Sequence, residues 1–286
     1  MELQLLETFL VVCEERNLSR AAVRLFRTQP AISRQIQALE EELGVRLLER
    51  SSRGVRPTAQ GEELRARGAR ILGELQSLKE IGSGSDGPSG ELVLASSDTV
   101  ACHFLAPHLG RFARECPRVQ LRIENGVTPG IVNLVERSAC ELGFVLLPLR
   151  NPRLELRPLL RYRHVAVFPS GTPETETTVS ALCDMPLVLL TRESATRRSF
   201  DERVASKGLH PQRILEVASV SVQKAMVRAG LGAGILPDYA LEPGDDLAVA
   251  PIQGSHEKIL ALCRLKSRSL SAPAAALMRM LEACGS

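Results

Sequence analysis

The apolar positions of the first eighty residues repeat at helical spacing. Leu3, Leu6, Phe9, Leu10 and Cys13 line one side of a first helix. Asn17 and Ser19 break that pattern and supply a cap for a short second helix through Ala21, Ala22, Leu25 and Phe26. Thr28 stands where it can cap a third helix, and Pro30 suits the opening turn because its missing N–H has no partner there anyway. Ile32, Ile36, Leu39 and Leu43 are the buried stripe of that helix, and Gly44 fits its C-terminal stop. The few residues between the second and third helices predict the tight angle of a helix-turn-helix. From Arg46 to Thr58 the pattern changes to two short apolar stretches, Leu47-Leu48 and Val55, around a turn of Ser51, Ser52, Arg53 and Gly54. This predicts a β-hairpin wing and closes a first domain over residues 1–58.

The polar positions say what this domain meets. Gln29, Ser33, Arg34 and Gln37 lie on the outward face of the third helix, mostly near its N-terminus. In a recognition helix Arg forks onto guanine, Gln onto adenine, and Ser reaches a base or a phosphate. Arg16 to Thr58 holds nine arginines against four glutamates, although the whole chain is only +3. Basic charge is therefore concentrated where a phosphate backbone would lie. Arg50, Arg53 and Arg56 flank the wing and would hold phosphates, setting position rather than sequence preference. With Thr28, Pro30 and Thr58 at the helix starts, these residues are the expected contact set for double-stranded DNA.

A long helix follows over 59–81. Thr58 can cap it, and Glu62 and Glu63 suit the positive end of its dipole. Leu64, Gly68, Ile71, Leu75 and Leu78 keep 4-3-4-3 spacing, the seam of a two-helix pairing. Such a helix, about 36 Å long, predicts a dimer that holds two readers roughly one DNA turn apart, the alternative being a helix packed on its own domain.

At this point the chain resembles the LysR-type transcriptional regulators. The resemblance rests on Leu6-x-x-Phe9, Ser19-x-Ala21-Ala22-x-x-Leu25 and Gln29-Pro30-Ala31-Ile32-Ser33-x-Gln35-Ile36. It continues through Leu39-Glu40, Leu43-Gly44, Leu47-Leu48-x-Arg50 and Thr58-Ala59-x-Gly61. Thr28 stands where the family usually has Ser. The resemblance implies a winged helix-turn-helix, a linker helix that forms dimers and often tetramers, and an effector domain of two periplasmic-binding-protein-like α/β lobes.

Residues 82–90, Gly-Ser-Gly-Ser-Asp-Gly-Pro-Ser-Gly, offer nothing apolar to bury and predict a hinge. From Glu91 onward strand and helix patterns alternate, which predicts an α/β domain with largely parallel sheets. The expected strands are 92–95, 119–123, 142–147, 165–168, 187–190, 214–217, 234–236 and 259–263. Helical patterns include 104–115, 131–137, 199–206, 222–229 and 272–284. The family layout divides 91–286 into one lobe of about 91–161 plus 266–286 and another of about 162–265.

Ligands of open α/β sheets sit beyond the carboxyl ends of the strands. Ser97, Asp98, Thr99, Val127 and Thr128 fall there in the first lobe, and Arg192, Ser194, Val220 and Ser221 in the second. Arg192 can pair a carboxylate, and the hydroxyls and helix N-termini can cradle an anion. Asp98 would repel an anion, and is expected instead to bond backbone or to select an amine or hydroxyl on the ligand. A small organic acid or amino acid is the expected effector.

Composition narrows the alternatives. With 44% hydrophobic and 24% charged residues, and no apolar run long enough for a bilayer, the chain reads as an ordinary cytoplasmic protein with no membrane partner. The start, MELQLLETFLVV, lacks the basic region of a signal peptide. Seven scattered cysteines without C-x-x-C spacing fit reduced thiols, with Cys102 and Cys183 as the candidates for a redox-sensing alternative. No second cluster accompanies His103 and His108, so neither metal nor cofactor is expected. Gly230-Leu231-Gly232-Ala233-Gly234 follows a helix and leads into a strand, the reverse of a dinucleotide-binding loop, and an enzyme is not expected. An effector-independent DNA binder is a third reading, which two whole lobes argue against. RNA polymerase is a further expected partner of a promoter-bound regulator.

Overall fold

A computed structural model describes residues 2–51, 54–80, 87–172 and 176–284. The first domain contains α1 (Leu3–Glu15), α2 (Leu18–Arg24), α3 (Gln29–Leu43), β1 (Leu48–Ser51) and β2 (Gly54–Pro57). Each boundary has a local cause. Arg16 ends α1 in the left-handed conformation, and Asn17 caps α2 by accepting from the Ser19 and Arg20 N–H groups at 2.8 and 3.1 Å. Gly44 ends α3 with φ 69°. Phe9, Ile32, Ile36, Leu39 and Leu47 are essentially solvent-free in one core. Each such side chain contributes about 1.5–3 kcal/mol. The strands pair from Leu48↔Pro57 to Ser51↔Gly54, and the Val55 N–H donates to the Arg16 carbonyl at 3.0 Å, tying the wing to the end of α1. Ser52 and Arg53, at the turn, lie outside the described residues.

The linker helix α4 (Ala59–Glu80) starts against the wing: a Cβ at Gly61 would lie 2.1 Å from the Leu47 carbonyl oxygen. The expected pairing seam requires correction. Leu64 packs half-buried on the core of the DNA reader, together with Leu72. Gly68 is buried beneath Leu6 of α1, where a Cβ would come within 2.6 Å of Leu6 Cδ1. The stripe 64-68-72, spaced by four, therefore faces the chain's own first domain, and Gly68 has no room for a second backbone. Ile71 is exposed and Leu75 half-buried, while the side chain of Leu78 lies outside the described residues.

Beyond the linker lie two α/β lobes. The first begins with β3 (Gly90–Ser96), α5 (Asp98–Val100), a π-helical turn (Ala101–Leu105) and α6 (Ala106–Glu115). It continues with β4 (Val119–Asn125), α7 (Thr128–Glu136), β5 (Leu142–Leu147) and β6 (Leu154–Tyr162). The second comprises β7 (His164–Pro169), α8 (Val179–Cys183), β8 (Pro186–Leu190), α9 (Ala195–Ser206), β9 (Arg213–Val217), α10 (Val220–Arg228), β10 (Ala233–Pro237), a 3-10 turn (Asp238–Ala240) and β11 (Leu247–Pro251). The chain then returns to the first lobe with β12 (Lys258–Leu265) and α11 (Ala272–Cys284).

The first lobe's sheet has the order β4-β3-β5-β12-β6, and the second's β11-β7-β10-β8-β9. In the first, β12 runs antiparallel to both of its neighbours, and in the second β7 does the same. The remaining pairings are parallel. Half of the pairings in each sheet are therefore antiparallel, and the sheets are mixed where largely parallel ones were expected. Both faces of each sheet carry an apolar cluster, so central strands such as Leu-Gly-Phe-Val-Leu-Leu read as continuous apolar runs. The lobe boundary expected at 265 moves. β12 pairs with β5 and β6, so residues 258–265 belong to the first lobe, and the chain crosses at Arg163 and again between Ile252 and Lys258.

Candidate DNA interface and effector cleft

The third helix presents the expected residues as a surface. Thr28, Gln29, Pro30, Arg34 and Gln37 are exposed and Ser33 is half-exposed. Thr28 occupies the cap position of α3, yet its hydroxyl makes no capping bond there. Gln37 donates to Glu41 Oε1 at 2.8 Å, a bond it must exchange to reach a base. Arg56 is exposed on the wing; the side chain of Arg50 lies outside the described residues, as does Arg53. Thr58 is a correction. Its hydroxyl donates to the Arg46 carbonyl at 2.8 Å and accepts from the Gly61 N–H at 3.0 Å. Its only proton is spent inside the protein, so Thr58 caps α4 and has none to offer a phosphate.

The residues expected at an effector site fall at the carboxyl ends of parallel strands, in two adjacent pairs of segments. In the first lobe, the Gly126 N–H donates to the Ser96 carbonyl at 3.0 Å, joining the Ser97–Thr99 segment to Val127–Thr128. In the second, the Thr191 N–H donates to the Val217 carbonyl at 3.1 Å, joining Arg192–Ser194 to Ser219–Ser221. Ser97 caps α5 and accepts from the Val100 N–H. Thr128 Oγ1 accepts from the Leu146 N–H at 3.4 Å, which anchors the start of α7 on β5. Asp98, Arg192, Val127 and Ser221 are exposed, and Ser194 heads α9 without a side-chain cap. Val220 is 1% exposed in the core of the second lobe, so its side chain cannot meet an effector; only its backbone belongs to the helix start.

Sequence reasoning missed a second group of polar residues behind these loops. His103, on the π-helical turn, shares a 2.8 Å hydrogen bond between Nδ1 and Glu242 Oε1 of the second lobe. Lys224 is buried one turn into α10 and pairs with Asp245 at 2.7 Å. Gln223, fully buried, donates to the Val188 and Ile235 carbonyls and bridges β8 to β10. A polar residue inside an apolar helical stripe, as Gln223 and Lys224 are, was the available signal.

The cysteines do not favour a thiolate. Burial pushes Cys13, Cys140 and Cys263 up to about 12. Cys183 is buried and shifted upward by burial and then by Asp184. Cys102 is exposed, yet burial of its sulfur and then the Asp98 carboxylate, 3.8 Å away, also raise it. Both redox candidates therefore hold their protons more tightly than a free thiol. Among the described residues, no helix is long and apolar enough to cross a membrane.

Comparison with known proteins agrees with this layout. Residues 3–62 match the family model of the bacterial regulatory helix-turn-helix protein, lysR family, and residues 85–285 that of the LysR substrate binding domain. The chain is 31% identical over 246 residues to the HTH-type transcriptional regulator CysB of Burkholderia cenocepacia, a match covering 84% of this chain and 79% of that protein. It is 31% identical over 285 residues to the uncharacterized HTH-type transcriptional regulator YfeR of Shigella flexneri, covering 96% and 91%. Among solved structures, full-length CbnR in complex with its target DNA superposes with a TM-score of 0.67 at 26% identity, covering 99% of both chains. A full-length variant of OxyR from Pseudomonas aeruginosa shares the fold, with a TM-score of 0.71 at 23% identity over 98% of this chain and 93% of that one. An exposed recognition helix joined by a linker helix to two lobes, matched along nearly its whole length, places this chain in the LysR family of DNA-binding transcriptional regulators.

Proposed function

We propose that the protein binds promoter DNA as a dimer or tetramer and changes its grip when a small organic molecule enters between the two lobes. The observation that carries this reading is the arrangement of helix starts at the carboxyl ends of parallel strands in both lobes, with Ser97, Asp98, Thr99 and Thr128 on one side and Arg192, Ser194 and Ser221 on the other. Arg192 supplies a partner for a carboxylate, and Asp98 for an ammonium or hydroxyl. A ligand carrying both, such as an amino acid or hydroxy acid, satisfies the two charges at once, whereas a simple anion meets repulsion from Asp98. The effector acts by binding one lobe arrangement better than the other, which shifts how the paired readers lie on DNA. A ligand without such a preference shifts nothing. The working form is a cytoplasmic regulator rather than an enzyme, with RNA polymerase as a further partner.

The test is a thermal-shift series on the full-length protein with amino acids, hydroxy acids and simple carboxylates. A concentration-dependent rise in Tm with the first two classes supports the assignment. Stabilisation by simple carboxylates alone removes Asp98 from the site. The Thr99→Val variant should lose the shift and keep its DNA affinity; an unchanged shift moves the site elsewhere.

A further inference from the structure

The two lobes are joined by more than their crossover strands. α5, the π-helical turn and α6 run without a break from Asp98 to Glu115. π-Helical turns within α-helices re-aim side chains and recur at functional sites. Here the turn carries His103, whose side chain is only 7% exposed, into contact with the second lobe. There Glu242 Oε1 meets His103 Nδ1 at 2.8 Å. Glu242 does not hang freely. Its backbone N–H donates to Asp245 Oδ2 at 2.7 Å, and the same oxygen lies 2.7 Å from Lys224 Nζ. The Lys224 side chain is 5% exposed, and a buried ammonium is tolerable only with a partner, so Asp245 and its loop are fixed to α10. Burial acts to raise the Asp245 carboxyl, but the Lys224 ammonium and the Glu242 N–H outweigh it and bring it below the usual carboxylate range. Beside this chain, Tyr162 of β6 and Tyr239 of the 3-10 turn stack edge to face at 5.1 Å. At the crossover the Asp238 N–H donates to the Arg163 carbonyl, and the Arg163 N–H donates back to the Asp238 carboxylate.

We infer that His103, Glu242, Asp245 and Lys224 are positioning residues that form an interlobe clasp, setting the angle between the two helix starts that line the effector cleft. One end of the clasp lies five residues beyond Asp98 on one continuous helical run. The other lies three residues beyond Ser221 on α10. A rotation of one lobe against the other must break the His103–Glu242 bond or carry the 242–245 loop and α10 with it. The link to the cleft rests on the effector reading above; the clasp itself is tested without any effector.

The experiment is amide hydrogen exchange of the full-length protein, read on peptides covering 98–105, 220–226 and 239–247. His103→Ala should speed exchange about fivefold in the second-lobe peptides as well as in its own, the loss of roughly one hydrogen bond's net worth. Glu242→Ala removes the acceptor at an exposed side chain and should act in the same direction on 98–105. The double variant should do no more than either single one, because both remove the same bond. Exchanging the partners, His103→Glu with Glu242→His, should restore protection. Wild-type exchange across the lobe boundary in both single variants, or additive effects in the double, overturns the clasp. Should His103→Ala fail to fold, Glu242→Ala alone decides, since its effect on the opposite lobe is not a local one. A clasp that holds in this assay alongside a flat thermal-shift series would separate a failure of the effector reading from a failure of the inference.

Discussion

Glu40 and Leu47 are joined by a 2.7 Å hydrogen bond from the Leu47 N–H to Glu40 Oε1, and the same oxygen accepts from the Leu48 N–H at 3.1 Å. One carboxylate on the recognition helix therefore holds the first strand of the wing. The two elements proposed to contact DNA are thereby held in mutual register. Glu40→Ala should cost about 1–3 kcal/mol, because two backbone donors lose a charged acceptor. Urea unfolding measures that loss. DNA affinity should fall with it although Glu40 carries the wrong charge to touch a phosphate. An unchanged midpoint would show that the wing needs no anchor.

Arg34 and Arg56 should fail differently. Arg34 lies on the exposed face of the recognition helix, and Arg34→Ala should lower discrimination between specific and random duplexes by about 1–3 kcal/mol. Arg56 lies on the wing, and Arg56→Ala should weaken every duplex alike and reduce the salt slope by about 1. Binding titrations at several salt concentrations separate the two. Equal specificity ratios for Arg34→Ala and wild type would remove it from the base-reading set.

Gly68→Ala sets two effects against each other. Alanine is favoured over glycine inside a helix by about 1 kcal/mol. Its Cβ, however, would enter at 2.6 Å from Leu6 Cδ1 and 3.2 Å from Cγ, so the fully buried Leu6 must shift within the core. Overpacking costs about 1–3 kcal/mol, so the net effect should be destabilising. A raised Tm would show that Leu6 yields to the added methyl and that helix propensity decides the sign.

His164 should give the protein an acid-sensitive limb. It is buried where the chain crosses between lobes, and burial, with Lys258 and Arg203 adding to it, pushes its imidazole down to about 3. The unfolded chain binds this proton near pH 6.5 and the folded protein does not. Stability contributed by the neutral ring is complete above that value and falls as the pH drops toward 3, by up to about 1.4 kcal/mol per unit. His164→Gln should flatten the decline between about pH 6.5 and 4.5 in urea unfolding curves. An identical decline would assign it to other groups.

Cys102 should be a slow thiol. Its sulfur is exposed but held protonated by partial burial and by Asp98. At neutral pH it should react with peroxide or a disulfide reagent more slowly than free cysteine, and Asp98→Asn should speed it. Reaction faster than free cysteine would restore a redox reading of this regulator.

The helical repeat and the arginine excess of the first sixty residues determined the reader domain, because a short helical domain is built from contacts close in sequence. Asn17, Pro30 and Gly44 marked its boundaries through local backbone rules. The central strands of both lobes were legible for a similar reason: strands buried on both faces are runs of apolar residues. Two of the four edge strands, β6 and β11, escaped although β4 and β9 did not: Pro158 interrupts β6 beside a register shift, and β11 is a short Leu-Ala-Val-Ala-Pro stretch with little β-branched character. Only the tertiary structure decided that residues 258–265 return to the first lobe, since the pairing of β12 with β5 and β6 joins segments separated by the whole second lobe. It also decided which stripe of α4 the chain keeps for itself. Leu64 and Gly68 satisfy a pairing seam and an intramolecular contact equally well at the level of spacing. Sequence spacing specifies a face but not what covers it. The meeting of His103 with Glu242, 139 residues apart, was beyond any local rule, because it depends on how two separately folded sheets are set against each other.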